Sequence, residues 1–146
     1  MSPKCQIMLD VVPQEKVLAK ALTKEGALVS MVPMITGDVR ERDTGWEVKS
    51  SDDVRSSFTQ GRLKEQLTRM LDTYSESILI IWDWFLPDAN GKIYSRNWHS
   101  GTSWDALWGA LHFWQRRGII LDMAASRAHA AHRIVMLCRA HMEGKK

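Results

Sequence analysis

Disulfide bonds cannot be what holds this chain together. Its 146 residues include two cysteines, Cys5 and Cys138, too few for a cross-linked framework and in keeping with a reducing compartment. Long apolar runs are missing as well. The longest, Ala106 to Trp114, is too short to cross a bilayer and contains His112. Asp10 interrupts the N-terminal apolar stretch before a signal-peptide core could form, so no membrane partner is expected. Neither sign of charge dominates: Lys and Arg number 20, Asp and Glu 17, and the net charge is +3. That balance permits an anionic partner without demanding one. There is no internal repeat, low-complexity tract or dividing linker, and 45% hydrophobic with 25% charged residues excludes a disordered or collagen-like chain. The length suits one core, since two would each be undersized. Residues 1–146 therefore read as a single soluble, intracellular domain. What the chain has in excess is tryptophan: seven, six of them between Trp82 and Trp114.

Gln6 to Val12 is a short apolar run broken by Asp10 and reads as a buried strand ending in a carboxylate. Pro13 suits the first turn of a helix whose apolar face is Val17, Leu18, Ala21 and Leu22, up to Gly26. Ala27 to Val32 is a second strand, stopped by Pro33. Ile35 to Arg40 and Trp46 to Lys49 are extended pieces around Asp43-Thr44-Gly45, a hairpin signal. Ser51 or Asp52 can cap a short helix through Phe58, Gly61 interrupts it, and Leu63, Leu67, Met70 and Leu71 form a second helical face. Ser77 to Trp82 is apolar enough to be the central strand. Phe85 to Ser103, with Pro87, Asn90-Gly91 and Gly101, reads as a polar insert without regular structure of its own. Trp104 to Arg117 is helical, Ile119 to Met123 is a buried strand, and Ser126 caps a last helix to about His141. Strands alternating with helices around one early hairpin predict a three-layer α/β fold on a mixed sheet.

Trp46-Glu47-Val48-Lys49 alternates apolar and charged residues, which puts Glu47 and Lys49 on one strand face. With a two-residue turn at Asp43-Thr44 or Thr44-Gly45, Asp38, Arg40 and Arg42 share that face. A three-residue turn would break the arrangement. Asp53 follows at the start of a helix, where it can swing back to the strand end, and Asp10 ends the first strand. Asp10, Asp38, Glu47 and Asp53 with Lys49 make a hard-cation site beside an ammonium. Mg²⁺ prefers oxygen ligands and takes one or two carboxylates plus water and phosphate oxygens. Such a metal polarises a phosphoryl oxygen and lowers the pKa of an attacking water, while a lysine orients that water or offsets developing charge. This is the chemistry of phosphodiester hydrolysis.

The run Gly37 to Gln66 closely resembles the signature of the XPF-type structure-specific endonucleases of the PD-(D/E)xK superfamily. That family's pattern is GD, a spacer, ERK, three residues and D, then GRL. Here these are Gly37-Asp38, Glu47-Val48-Lys49, Asp53 and Gly61-Arg62-Leu63, and Met8-Leu9-Asp10 looks like the first half of the family's opening segment. The order of elements follows the family's nuclease domain over nearly the whole chain. The resemblance implies a restriction-endonuclease-like fold, Asp38, Glu47 and Lys49 as catalytic residues, and Mg²⁺ or Mn²⁺ held by Asp10, Asp38, Glu47 and Asp53. It implies cleavage of branched DNA (flaps, forks or junctions) in repair or recombination, and a homodimer. The setting expected is the cytoplasm of a bacterial or phage-infected cell, or the nucleus in a eukaryote. Two departures stand out. Val48 replaces the family's arginine, and the segment after Asp10 lacks its Arg-Glu pair, leaving open whether Glu15 takes the glutamate's place. No helix-hairpin-helix domain is found within the sequence. Because the family pairs active with degenerate subunits, the alternative is a non-catalytic DNA-binding or scaffold module of the same fold.

Arg62 belongs to the GRL match and Arg40 to the charged hairpin face, and both suit phosphate contacts. In the insert, Trp98 with Tyr94, Arg96, Lys92 and His99 interleaves aromatics and cations, a pattern suited to unpaired nucleotides. The competing reading is a folded-back loop whose tryptophan seals the sheet edge. Trp82, Trp104 and Trp108 read as core residues and Trp84 as a stacking or subunit-contact residue. His129 and His132 lie three apart on the last helix without an evident third ligand.

Overall fold

The computed structural model describes residues 4–12 and 15–144; Pro13 lies outside them. The elements are β1 (Gln6–Asp10), α1 (Lys16–Lys24), β2 (Leu28–Val32), β3 (Val39–Glu41), β4 (Thr44–Ser50), α2 (Ser51–Thr59), α3 (Arg62–Thr73), β5 (Glu76–Trp82), β6 (Leu86–Pro87), β7 (Lys92–Ser95), β8 (Trp98–Ser103), α4 (Trp104–Arg116), β9 (Ile119–Ala124) and α5 (Arg127–Met142). Six strands form one mixed sheet in the order β2-β1-β3-β4-β5-β9. Its pairs β1/β2, β4/β5 and β5/β9 are parallel, and β1/β3 and β3/β4 antiparallel.

Strand β5 explains the layers. It is buried on both faces, and successive side chains point to opposite sides. Ile78 and Ile80 enter a core with Leu18 and Leu22 of α1 and Ile134 and Val135 of α5. Leu79 and Ile81 enter a second core with Leu63 and Leu67 of α3 and Leu107 and Leu111 of α4. Each such side chain, fully buried, contributes about 1.5–3 kcal/mol relative to exposure. Helices on both faces of a mixed sheet are the three-layer architecture expected.

Serine hydroxyls start three helices: Ser50, Ser103 and Ser126 accept from the backbone N–H of Asp53, Ala106 and His129. The cap of α2 is thus Ser50, one residue before Ser51 and two before Asp52, the caps expected. Strand β4 runs through to it, and the Ser51 side chain turns into the interior. Gly61, at φ +75°, makes the left-handed break between α2 and α3.

Two further expectations need correction. The hairpin turn is Arg42-Asp43, with Arg42 at φ +54°, and the register pairs Val39 with Trp46, Arg40 with Gly45 and Glu41 with Thr44. Gly45 is required for packing rather than for turning, because a Cβ there would lie 2.3 Å from ring carbons of Tyr74. The turn still has two residues, so the parity that brings Asp38, Glu47 and Lys49 to one face is kept. The other correction is the insert. It forms a three-stranded antiparallel sheet, β6-β7-β8, with Arg96-Asn97 joining β7 to β8. Ile93 and Ser95 are buried beneath it, and that alternation gives these short strands an inner face. Among the described residues, no helix is long and apolar enough to cross a membrane.

Candidate active site

The carboxylates gather on the α2–α3 face of the β3–β4 hairpin. Asp38, one residue before β3, is knitted into three segments. Its N–H donates to Trp46 O at 2.8 Å and its carbonyl accepts from Asp10 N–H at 3.1 Å. Its Oδ2 accepts from Val48 N–H at 2.8 Å. Asp10, at the end of β1, accepts from the N–H groups of Val11 at 3.0 Å and Met34 at 3.1 Å. Glu47 is 7% exposed, and Lys49 Nζ stands 3.5 Å from its Oε1. Asp53 is exposed in the first turn of α2. Val48 packs toward the α1–α5 core, on the opposite face from Glu47 and Lys49. Valine in place of the family's arginine therefore leaves the acids and the lysine of this face intact.

The carboxylates also act on one another electrostatically. Burial, then the charge of Asp38, pushes the Glu47 carboxyl up to about 8 against its ordinary 4.5, with Lys49 opposing and Glu15 adding to the rise. Asp38 is raised by burial as well, opposed by the Val48 N–H and Lys49 and reinforced by Asp10 and Asp53. Glu15 is raised to about 7, by burial first and then by Asp38 and Asp10, with Arg127 countering. Burial is the first cause of each rise and like charge the second, and carboxyls raised in this way cluster at functional sites. Among the described residues, no three His, Cys, Asp or Glu side chains are gathered closely enough to form a metal cage unaided. An all-oxygen, incompletely closed set matches a hard divalent cation that completes its shell with water and phosphate oxygens. It does not match zinc, which prefers a nitrogen- and sulfur-rich tetrahedron.

Three residues join this surrounding beyond the expected acids and lysine. Glu15, left open above, is within electrostatic reach of Asp38, Asp10 and Glu47. Tyr74 lies over Gly45, and its hydroxyl donates to Thr36 O at 2.6 Å. Burial raises its phenol, which keeps that donor protonated. Arg127, at the start of α5, holds its guanidinium 5.1 Å from the ring centre of Trp82 and acts on Glu15. The sequence signal for Glu15 was its place just after β1, near the position of the family's glutamate. Tyr74 had none, because tertiary folding alone brings it in, and Arg127 had only its positive charge.

The residues expected to meet DNA are spread out. Arg40 is exposed, 6.0 Å from the Tyr74 ring centre, and its Nε donates to Arg42 O at 2.8 Å. Arg62 is exposed at the first position of α3, and Arg96 is exposed in the β7–β8 turn. Trp98 is half-buried against the second core, with the Arg55 guanidinium 5.5 Å from its ring centre. It does not stand free on a loop. Elsewhere, the rings of His129 and His132 are stacked 6.1 Å apart. His129 Nδ1 accepts from Ala125 N–H and His132 Nδ1 meets Glu25, which accounts for both. Cys5 and Cys138 are buried free thiols, and burial raises that of Cys138.

No protein-family model matches the chain, and none of the curated proteins compared with it is similar. Solved structures do match. XPF from Aeropyrum pernix superposes with a TM-score of 0.78 at 22% identity, covering 93% of this chain and 64% of that chain. XPF from Aeropyrum pernix in complex with DNA gives 0.80 at 22% identity, covering 97% and 66%. The chain has an XPF-like nuclease fold, and it spans just under two-thirds of the length of those structures' chains.

Proposed function

We propose that the chain is a metal-dependent DNA endonuclease of the XPF type, hydrolysing phosphodiester bonds of branched DNA in repair or recombination. The observation that carries this reading is Glu47, buried on an XPF-like sheet with Asp38 raising its pKa and Lys49 at 3.5 Å. Asp10, Asp38, Glu47 and Asp53 would hold Mg²⁺ or Mn²⁺. Bound there, the cation supplies a more acidic water and offsets charge on a phosphoryl oxygen. The chain's own residues do the rest. The backbone bonds of Asp38 and Asp10 fix both carboxylates in place before any substrate arrives, so little reorganisation is left to the reaction. Lys49 Nζ places a positive charge beside Glu47, where it can orient a water or meet developing negative charge. Glu15, raised to about 7, exchanges a proton near neutral pH, so it can accept the proton of the attacking water or, when protonated, give one to the leaving oxygen. Arg40, Arg62 and Arg96 supply phosphate contacts, and Arg127 adds a cation on the Glu15 side.

A homodimer is part of the same reading. It is supported by apolar side chains left exposed on β9 and α5, namely Ile120 at 45%, Met123 at 45% and Met136 at 53%. Sedimentation at micromolar concentration reads this directly, and a 16.7 kDa species with full activity overturns it.

The deciding experiment is a cleavage panel of duplex, single strand, flap, fork and four-way junction with Mg²⁺, Mn²⁺ or EDTA. Cleavage of branched substrates only with a metal is the expected result. DNA binding without cleavage under every metal condition would assign the chain to the non-catalytic module instead. Neither binding nor cleavage would overturn both.

A further inference from the structure

The insert sheet has two faces of different character. Inward lie Ile93 and Ser95, both buried, and half-buried Trp98 under Arg55. Outward, the pairing sets Leu86 beside Tyr94 and Tyr94 beside His99, one residue from each strand. Trp84, 37% exposed, meets Tyr94 edge to face, with ring centres 5.7 Å apart and planes at 85°. His99, with 62% of its side chain exposed, tilts 35° to Tyr94 at 6.3 Å. An edge-to-face pair leaves a ring face unspent and makes an open corner, which a flat ring can enter by stacking on one wall with its edge against the other.

Cations continue the line. Alternate side chains along β7 face outward, so Lys92 and Tyr94 share the outer face and exposed Arg96 follows at the turn. Their spacing is about 7 Å from one alternate residue to the next, near the reach between successive phosphates of an extended strand. The acid of this face, Asp88, is already engaged. Its Oδ1 accepts from Asn90 and Lys92 N–H and its Oδ2 pairs with His99 at 2.6 Å. Aromatic faces flanked by cations that form no ion pair among the described residues favour an anionic polymer with exposed flat rings over an apolar protein surface.

The platform also stands at the same end of the molecule as the acids. It begins just after β5, whose last residue, Trp82, pairs with Ser50 at the end of β4. Beneath it, Arg55 comes from α2, which carries Asp53 in its first turn.

We propose that the outer face of β6-β7-β8 binds unpaired nucleotides of DNA, with Tyr94 and Trp84 stacking on bases and Lys92 and Arg96 meeting phosphates. The identity of the polymer rests on the nuclease reading above. Trp98, the ring that the sequence pattern favours, braces this platform from below.

The test is fluorescence anisotropy in EDTA with a labelled oligo(dT) and a labelled duplex of equal length. Tyr94→Ala and Trp84→Ala should each weaken oligo(dT) binding by about tenfold or more and leave duplex affinity unchanged, while Tyr94→Phe keeps wild-type affinity. Lys92→Glu with Arg96→Glu, both on the surface, should weaken oligo(dT) binding without lowering the melting temperature. Equal losses on both substrates, or oligo(dT) binding insensitive to all four variants while duplex is still bound, overturn the platform and leave the nuclease reading standing. A wild-type chain that binds neither substrate overturns both.

Discussion

Two buried glutamates lie on opposite faces of the same hairpin, and their neighbours make them different groups. Glu41, 3% exposed, faces α5. His141 Nδ1 stands 2.8 Å from its Oε1, and Arg42 Nε stands 3.3 Å from its Oε2. Glu47, 7% exposed, faces α2 and α3, with Lys49 at 3.5 Å and the charges of Asp38 and Glu15 against it. The fold answers Glu41 with donors and answers Glu47 largely with more acids. Burial of a carboxylate therefore does not by itself mark a reactive site. What sets Glu47 apart is the like charge that the fold gathers around it.

The comparison breaks most sharply in cleavage. Glu47→Gln, Asp38→Asn and Lys49→Ala should each lower the rate by roughly two to three decades, equivalent to about 3–4 kcal/mol of barrier, whereas Glu41→Gln should cut near the wild-type rate. A Glu41→Gln loss as large as that of Glu47→Gln would erase the distinction. Stability should show the reverse order. Glu41→Ala removes the partner of the partly buried His141 and should destabilise by about 1–3 kcal/mol in denaturant, while metal-free Glu47→Gln should unfold no more easily than wild type. A further effect concerns pH. Glu47 and Glu15 titrate near 8 and 7 in the fold and at about 4.5 when unfolded, so between those values the folded state holds more protons. Their stabilising contribution is complete below pH 4.5 and is lost as pH rises through 7 and 8. The metal-free melting temperature should accordingly fall from pH 5 to 9, and Glu47→Gln should flatten that slope. Saturating Mg²⁺ should raise the wild-type melting temperature at pH 8 and leave Glu47→Gln with a smaller gain.

Much of this was legible in the chain, for identifiable reasons. The apolar run Ser77 to Trp82 could only be a doubly covered strand, and it sits between β4 and β9. Period-two alternation brought Asp38, Glu47 and Lys49 to one face even though the turn lay elsewhere, because parity survives any two-residue turn. The turn itself misled because Gly45 looks like a turn glycine, whereas its missing side chain makes room for Tyr74, a residue 29 positions away. No local signal carries that information. The insert was misjudged because Pro87 and Gly101 weaken a strand reading, while its inner face is defined only by the helices beneath it. Tyr74 and Arg127 reach the candidate site through chain reversals that periodicity does not encode.

The mounting of the platform bears on where a strand would be cut. Helix α2 has nine residues, about 13 Å of rigid rod. Asp53 and Arg55 sit on it about 3 Å apart along its axis, one beside the acids and the other clamped on Trp98. A reader hung from a flexible tether would let the cut wander and leave a ladder of ends. On the nuclease reading, one bolted to the helix that carries Asp53 acts as a fixed gauge, so the cut should fall at a constant number of nucleotides from the unpaired bases it holds, and the products should share one length.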